Sequence, residues 1–285
     1  MPPRVSPPRL FPEAAAAPKP PAGSPGADAY RTTAFVLGVD VERVLAGLNA
    51  EGAAATAASV GRNRTQLLAA TLGLWSRSWL CRLQALHAAQ TGNYAAAIPL
   101  VRAAADYQAS MLYVLREDGR EWAEWLEAGG VAKDAEERAT EYRLHAFRAA
   151  EVLAAHDILG PLYRAATDLS LSHFGTTLLL AGSESTPERL MLSFGDRDFH
   201  AGLAELCLGW LLELGAALEL ALVEFGDVYL VEDTVALNAR AEESLRTARS
   251  PGRCRIEAIE RNGERRYLVS NWRRTAGAVP GRILL

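Results

Sequence analysis

Between residues 40 and 250, apolar side chains recur every three or four positions, which is the spacing of α-helices with one buried face. The clearest case is residues 64–90, where these apolar positions are Leu68, Leu72, Trp75, Trp79, Leu83 and Leu86. Thr91-Gly92-Asn93 ends the pattern, and Asn93 is placed to cap a second helix over residues 93–119. Two long helices joined by so short a turn predict an antiparallel helical hairpin.

The same period, with start and stop signals, predicts further helices. They span residues 40–52, 120–128, 133–157, 161–173 and 233–248. Residues 175–195 show no sustained period, and Asp196 or Asp198 is placed to cap a leucine-rich helix that continues to Phe225. The pattern therefore predicts an all-α bundle of about seven or eight helices over residues 27–249.

The leucine-rich segment has nine leucines in residues 203–225 and resembles a membrane span in composition. Nine leucines favour insertion by roughly 3 to 5 kcal/mol, whereas each central charge opposes it by about 2.5 to 3.5 kcal/mol. Glu213 and Glu219 together outweigh the leucines. The segment is therefore predicted to be the central helix of a soluble bundle, and no membrane partner is expected.

The first 26 residues have a different composition, because they contain nine of the 14 prolines and no apolar period. Such a segment cannot bury enough surface to offset the entropy of ordering it. Residues 1–26 are therefore predicted to be a disordered, proline-rich leader. Prolines and Glu13 also interrupt every apolar stretch that could serve as a secretory signal, so a cytoplasmic location is expected.

The end of the chain alternates β-forming residues around Asn262-Gly263, a strong signal for a hairpin turn. Residues 250–285 are therefore predicted to be a basic β-hairpin appendix. Their eight Arg and three Glu give a net charge of +5, against −11 for residues 40–249. Nucleic acid and the acidic bundle itself are alternative partners, and the bundle is favoured because its charge repels phosphates.

In the favoured alternative, Tyr267 and Trp272 make the apolar contacts with the bundle. The nearby arginines are expected at the rim of that contact. They are Arg265, Arg266, Arg273 and Arg274.

One short motif carries chemistry. Arg82-Leu83-Gln84-Ala85-Leu86-His87 places a histidine five residues after an arginine, and Arg138 with His145 is a looser match. This resembles the motif of the HEPN superfamily of bacterial helical bundles, many of which are ribonucleases. The resemblance implies that Arg82 holds the scissile phosphate and His87 assists proton transfer without a metal, often across a dimer interface.

Other polar residues suggest binding sites. Glu137, Glu141 and His145 follow one another at intervals of four, so a helix would place them on one face as metal ligands or as a solvated face. Arg102 and Asp106 lie in a largely apolar helix, and His173 ends another. These three could pair within the bundle or line a cleft.

The sequence favours a non-catalytic binding or regulatory protein, since it contains no nucleotide-binding, zinc-protease or hydrolase motif. A HEPN-like ribonuclease is the first alternative and a metal-dependent helical enzyme the second. No cofactor is predicted. A homodimer is expected because Trp- and Leu-rich helices often continue a core between subunits. The excess of Arg over Lys, with abundant Ala and Gly, indicates a GC-rich bacterial genome.

Overall fold

The computed structural model describes residues 5–6, 14–60, 65–134, 136, 138–182, 185–186 and 188–285. This part of the chain contains ten helices and five short strands, which confirms the predicted, mainly α-helical fold with a small β part. The helices are α1 (Ala27–Val60), α2 (Gln66–Gln90), α3 (Tyr94–Arg116), α4 (Arg120–Glu127), α5 (Ala149–Ala155), α6 (Leu159–Ser170), α7 (Phe174–Ala181), α8 (Ala201–Glu224), α9 (Gly226–Tyr229) and α10 (Thr234–Ala248). The strands are β1 (Val131–Lys133), β2 (Thr140–Tyr142), β3 (Arg255–Arg261), β4 (Glu264–Trp272) and β5 (Gly281–Leu284).

Helix α8 is the centre of the bundle and packs against α1, α2, α3 and α10. Within the described residues it is the one helix long and apolar enough to cross a membrane. However, 78% of its apolar window is buried inside the protein. This is the environment of a core helix in a soluble bundle.

Helices α2 and α3 form the predicted antiparallel hairpin. Thr65 caps α2 because its hydroxyl accepts a hydrogen bond from the Leu68 amide at 3.1 Å. Gly92 in the connecting turn has φ +73°, and a Cβ atom there would lie 2.3 Å from the Arg197 carbonyl oxygen. Both the backbone conformation and the close approach therefore require glycine.

Two regions differ from the helices predicted for them, one near the start of the bundle and one after α6. The predicted helix over residues 40–52 is part of the longer α1, which continues past Gly52 and is kinked at Leu37 (φ −124°, ψ 23°). Helix α7 lies where no helix was predicted. Its apolar segment is too short for a helical period to be distinguished from a loop. Of the leader predicted to be disordered, residues 1–4 and 7–13 lie outside the described residues. The prediction does not hold for residues 14–18, which contact α1 and α2.

The single helix predicted for residues 133–157 is wrong. This region contains β1, its antiparallel partner β2, an irregular segment and then α5. The Arg143 amide donates to the Gly130 carbonyl at 2.9 Å, and the Arg143 carbonyl accepts from Trp125 Nε1 at 3.0 Å. These contacts take the backbone groups that a helix would use, so tertiary structure overrides the helix propensity of the Ala- and Glu-rich sequence.

The predicted C-terminal hairpin is confirmed in β3 and β4. Asn262 (φ 57°) and Gly263 (φ 75°) form its turn, with Arg261 paired to Glu264. This left-handed pair of residues matches the twist of the flanking strands. The structure adds β5, which pairs antiparallel with β4 and makes a three-stranded sheet.

The sheet docks on the bundle, as the favoured alternative predicted. Tyr267 is 9% exposed and its hydroxyl donates to an oxygen of Asp168 on α6. Trp272 lies so close to α8 that a Cβ atom at Gly202 would be 2.8 Å from the indole ring. The two aromatic residues therefore make the apolar contacts predicted for them.

The arginines of the sheet divide into two groups. Arg265 and Arg266 are exposed, as expected. Arg273 and Arg274 are not at the rim, because their side chains are only 17% and 25% exposed. Arg273 is paired with Glu205 of α8, so a charged contact helps to hold the sheet.

The start of α8 is also different from the prediction. The residue before its first turn is His200, which makes no side-chain cap, so neither Asp196 nor Asp198 has the predicted capping role. Instead, the first amides of α8, those of Ala201 and Gly202, donate to the carbonyls of Arg274 and Arg273 at 3.0 and 2.9 Å. The C-terminal segment therefore satisfies the free amides of the helix.

Candidate functional site

The two residues of the HEPN-like motif lie in different surroundings. Arg82 is 2% exposed, and its guanidinium forms two hydrogen bonds with the buried Glu51 carboxylate. His87 lies near the surface, where its Nε2 is 2.7 Å from the Ala16 carbonyl. The structure therefore does not bring Arg82 and His87 to a common point, and both side chains are engaged in contacts within the chain.

The Arg82–Glu51 pair belongs to a buried polar cluster. Trp75 Nε1 donates to Glu51 at 3.2 Å, and Arg240 donates to the 2% exposed Glu219 at 2.7 Å. Arg82, Glu51 and Glu219 line a cavity of about 10 Å³, which is too small for a ligand. The cluster therefore serves the architecture of the core.

Glu219 should make stability depend on pH. Burial is the main cause that raises its pKa from 4.5 to about 7. The folded protein therefore holds this proton more tightly than the unfolded chain, so the stabilisation is complete below pH 4.5 and is lost as pH rises through 7. Denaturation curves recorded from pH 4.5 to 8 measure this effect. As pH rises over this range, the free energy of unfolding of Glu219→Gln should increase by about 3 kcal/mol relative to that of the wild type. A constant difference across this range would contradict the raised pKa.

Arg102, Asp106 and His173 do not form a site. Arg102 Nη2 donates to the Tyr163 hydroxyl at 3.0 Å, and its guanidinium lies 5.2 Å from the centre of that ring. Asp106 is half-buried, and His173 is exposed at the start of α7. No hydrogen bond or ion pair of the described residues joins the three. Arg102 therefore pairs within the bundle and connects α3 to α6.

Glu141 and His145, the predicted metal ligands, are not brought together in the structure. Glu141 is exposed on β2, whereas His145 follows in the irregular segment and contacts Glu121 of α4. Glu137, the third residue of that pattern, lies outside the described residues. Within the described part of the chain, no three His, Cys, Asp or Glu side chains are grouped so that they could hold a metal ion.

The contact between His145 and Glu121 lies in a cleft of about 440 Å³, which we call the Glu121 cleft. It is bordered by the end of α3, by α4 and by residues 143–148. The residues that line it include Tyr113, Glu121, Trp125, His145 and Arg148. Its volume is within the usual range of small-molecule sites.

Glu121 places a largely buried carboxylate in the wall of the cleft. Its side chain is only 15% exposed, and His145 Nε2 lies 2.8 Å from Oε1. Arg148 Nε is 4.0 Å from the same oxygen. The second oxygen, Oε2, is buried and makes no hydrogen bond of standard geometry with a described residue, although the Tyr113 hydroxyl is near enough to interact with the carboxylate. A buried carboxylate oxygen without a well-aligned donor is costly, unless a ligand supplies one.

Tyr113 and the aromatic residues shape the walls. Burial is the main cause that raises the pKa of Tyr113, and the hydrogen bond and charge of the neighbouring Glu121 carboxylate raise it further. Trp122 packs against Trp125 at a centroid distance of 5.2 Å and stacks on Phe147 at 6.3 Å. This aromatic group attaches residues 143–148 to α4 and so positions His145 and Arg148 beside Glu121.

Sequence reasoning found His145 but not Glu121, Tyr113 or Arg148. The one available signal was the Trp122/Trp125 pair in a short helix rich in charged residues. In the structure, α4 has no fully buried residue, so these tryptophans lie at the surface of the bundle. A helix that presents tryptophan on a polar surface often lines a contact or a cleft. The sequence did not indicate which charged residues would face that cleft.

Comparison with known proteins finds no match for this chain. No protein-family model matches the chain, no curated protein matches it, and no solved structure matches it. The functional proposal below therefore depends on the geometry of the described residues.

Proposed function

We propose that the protein is a non-catalytic binding or regulatory protein of the cytoplasm, whose ligand is a small zwitterion held in the Glu121 cleft. The observation that carries this proposal is the buried Oε2 of Glu121, which makes no hydrogen bond of standard geometry with any described residue and lies beside an open volume of about 440 Å³. An ammonium group of the ligand would donate to this oxygen. A charge-assisted hydrogen bond of that kind is stronger than a neutral one.

The charges around Glu121 favour a ligand with both signs. Arg148 has a 71% exposed side chain at 4.0 Å from Glu121, so its guanidinium can receive a carboxylate while the ammonium reaches Glu121. Trp125 borders the same cleft and adds apolar surface to its wall. Free amino acids have this combination of charges at the right size.

The chemistry of the cleft supports binding more than bond making. Tyr113 has a raised pKa, so its phenol stays protonated at neutral pH and acts as a hydrogen-bond donor, not as a base. His145 is bonded to Glu121 and helps to orient that carboxylate. Both groups therefore preorganise the acceptor that a ligand would meet.

The first test is thermal denaturation of the full-length protein with each proteinogenic amino acid at millimolar concentration. At least one should raise the melting temperature by several degrees, because ligand at 100 times its Kd stabilises a protein by about 2.7 kcal/mol. Glu121→Gln should lose the shift, since it keeps the shape but removes the charge. Glu127→Gln is the matched control on the exposed side of α4 and should keep it.

Two outcomes would oppose the proposal. One is that no amino acid stabilises the wild type. The other is that the shift persists unchanged in Glu121→Gln, because the ligand would then bind elsewhere.

The other functions considered from the sequence stay predictions. Arg82 is paired with Glu51, and His87 contacts Ala16, so no specific contact favours the HEPN-like ribonuclease. Likewise, the positions of Glu141 and His145 do not favour the metal-dependent enzyme. Nucleic-acid binding through the basic sheet and homodimer formation also stay predictions.

A further inference from the structure

Residues 14–18 of the proline-rich leader lie in a shallow groove on α1 and α2. Asn49 of α1 makes a reciprocal pair of hydrogen bonds with one residue of this segment. The Ala15 amide donates to Asn49 Oδ1 at 2.7 Å, and Asn49 Nδ2 donates to the Ala15 carbonyl at 3.2 Å. One side-chain amide thus satisfies both backbone groups of a single residue.

The contacts continue along the segment. His87 Nε2 is 2.7 Å from the Ala16 carbonyl and donates to it, since a carbonyl can only accept. The Tyr30 hydroxyl donates to the Ala17 carbonyl at 3.4 Å. We call the surface formed by Asn49, His87 and Tyr30 the Asn49 groove. Its three side chains contact three consecutive backbone carbonyls.

The groove recognises the backbone of the bound segment and limits the size of one side chain. Ala15 is 7% exposed and packs with the core, so the groove admits only a small side chain at that position. Pro18 borders a cavity of about 320 Å³ beside the groove, and proline loses nothing there because none of these contacts uses its missing amide. Recognition through the backbone of an extended segment, with specificity from a small pocket, is a common mode of peptide binding.

We propose that the Asn49 groove is a peptide-binding site for Ala- and Pro-rich polypeptide segments without regular secondary structure. In this protein, residues 14–18 of its own leader occupy the site and compete with such a segment from another chain. Because the leader is tethered, its effective concentration is about millimolar for a short flexible connection. A partner segment must therefore bind more tightly than the leader or meet a chain whose leader has been displaced.

The test uses the full chain and an acetylated, amidated peptide that corresponds to residues 14–21. Ala15→Arg places a long charged side chain where Ala15 is buried, which should release the leader and leave the groove open. In a titration followed by NMR, this variant should bind the peptide at least tenfold more tightly than the wild type does. Ala15→Arg with Asn49→Leu should not bind it, and a peptide with arginine at the position of Ala15 should bind to none of the proteins.

The proposal is overturned if Ala15→Arg binds the peptide no better than the wild type, or if the double variant binds equally well. Hydrogen exchange in the full chain gives a second test that does not depend on Ala15→Arg. The Ala15 amide should exchange at least tenfold faster in Asn49→Leu than in the wild type. Equal exchange rates would show that Asn49 does not hold the segment.

Discussion

Replacing Arg82 with leucine should lower the free energy of unfolding by about 3 to 5 kcal/mol. Arg82 is the buried partner of Glu51, and both side chains are almost completely inaccessible to solvent. The substitution leaves the Glu51 carboxylate in the core, where Trp75 Nε1 is its remaining donor among the described residues. Urea denaturation followed by circular dichroism measures the loss.

The matching double variant separates the ion pair from packing. Glu51→Leu with Arg82→Leu removes both charges, so it should be more stable than Arg82→Leu alone, by roughly 2 kcal/mol or more. Arg77→Ala on the exposed side of α2 is the control and should cost no more than about 1 kcal/mol. A double variant as unstable as the single one would show that Arg82 contributes through its size and not its charge.

Glu205→Ala should destabilise the contact between the C-terminal sheet and α8, with an expected loss of about 3 to 5 kcal/mol. The Glu205 carboxylate accepts from the Cys254 amide at 2.8 Å and pairs with Arg273. The buried Arg253 lies next to it, bonded to the Glu205 carbonyl and, at 2.7 Å, to Asp40. Without the carboxylate, Arg273 loses its buried ion-pair partner, and Asp40 remains as the acid paired with Arg253 in this largely buried junction.

Hydrogen exchange of the β4 amides, combined with chemical denaturation, measures this effect. In Glu205→Ala the strand should exchange faster than the α2–α3 hairpin, since the sheet loses an anchor while the bundle core is unchanged. Glu224→Ala, an exposed site on the same helix, should change neither quantity by more than about 0.5 kcal/mol. If the two variants behave alike, the junction does not hold the sheet.

Local signals predicted the parts of the fold that depend on few residues. Glycine and asparagine at Asn262-Gly263 are needed for two left-handed residues in succession, so the hairpin turn could be identified from the sequence. The apolar period of α2 and the break at Gly92 likewise predicted the helical hairpin. In each case the required residue and the observed geometry lie within a few positions of each other.

Features that depend on distant residues could not be predicted in this way. The first amides of α8 donate to the carbonyls of Arg273 and Arg274, which lie about 70 positions later in the sequence. The region around Arg143 avoids a helix because Gly130 and Trp125 bind its backbone. The local sequence of either segment does not indicate these distant hydrogen-bond partners.

The candidate site shows the same limit. Glu121 and Arg148 become neighbours because contacts such as the stacking of Trp122 on Phe147 bring their segments together. Both charged residues look like ordinary surface positions in the sequence. Arg82 shows the opposite case, because the sequence suggested a catalytic role and the structure places its side chain in the core, paired with Glu51. Charged residues in helices therefore need their tertiary partners before a role can be assigned.

The most direct test of the proposed function follows the indole N–H signals of the six tryptophans in the full-length protein by NMR. A mixture of free amino acids should shift the signal of Trp125, which borders the Glu121 cleft, and leave that of Trp210, buried in α8, in place. The shift should disappear in Glu121→Gln and persist in Glu127→Gln. An unchanged Trp125 signal in the wild type, or the same shift in Glu121→Gln, would contradict ligand binding in this cleft.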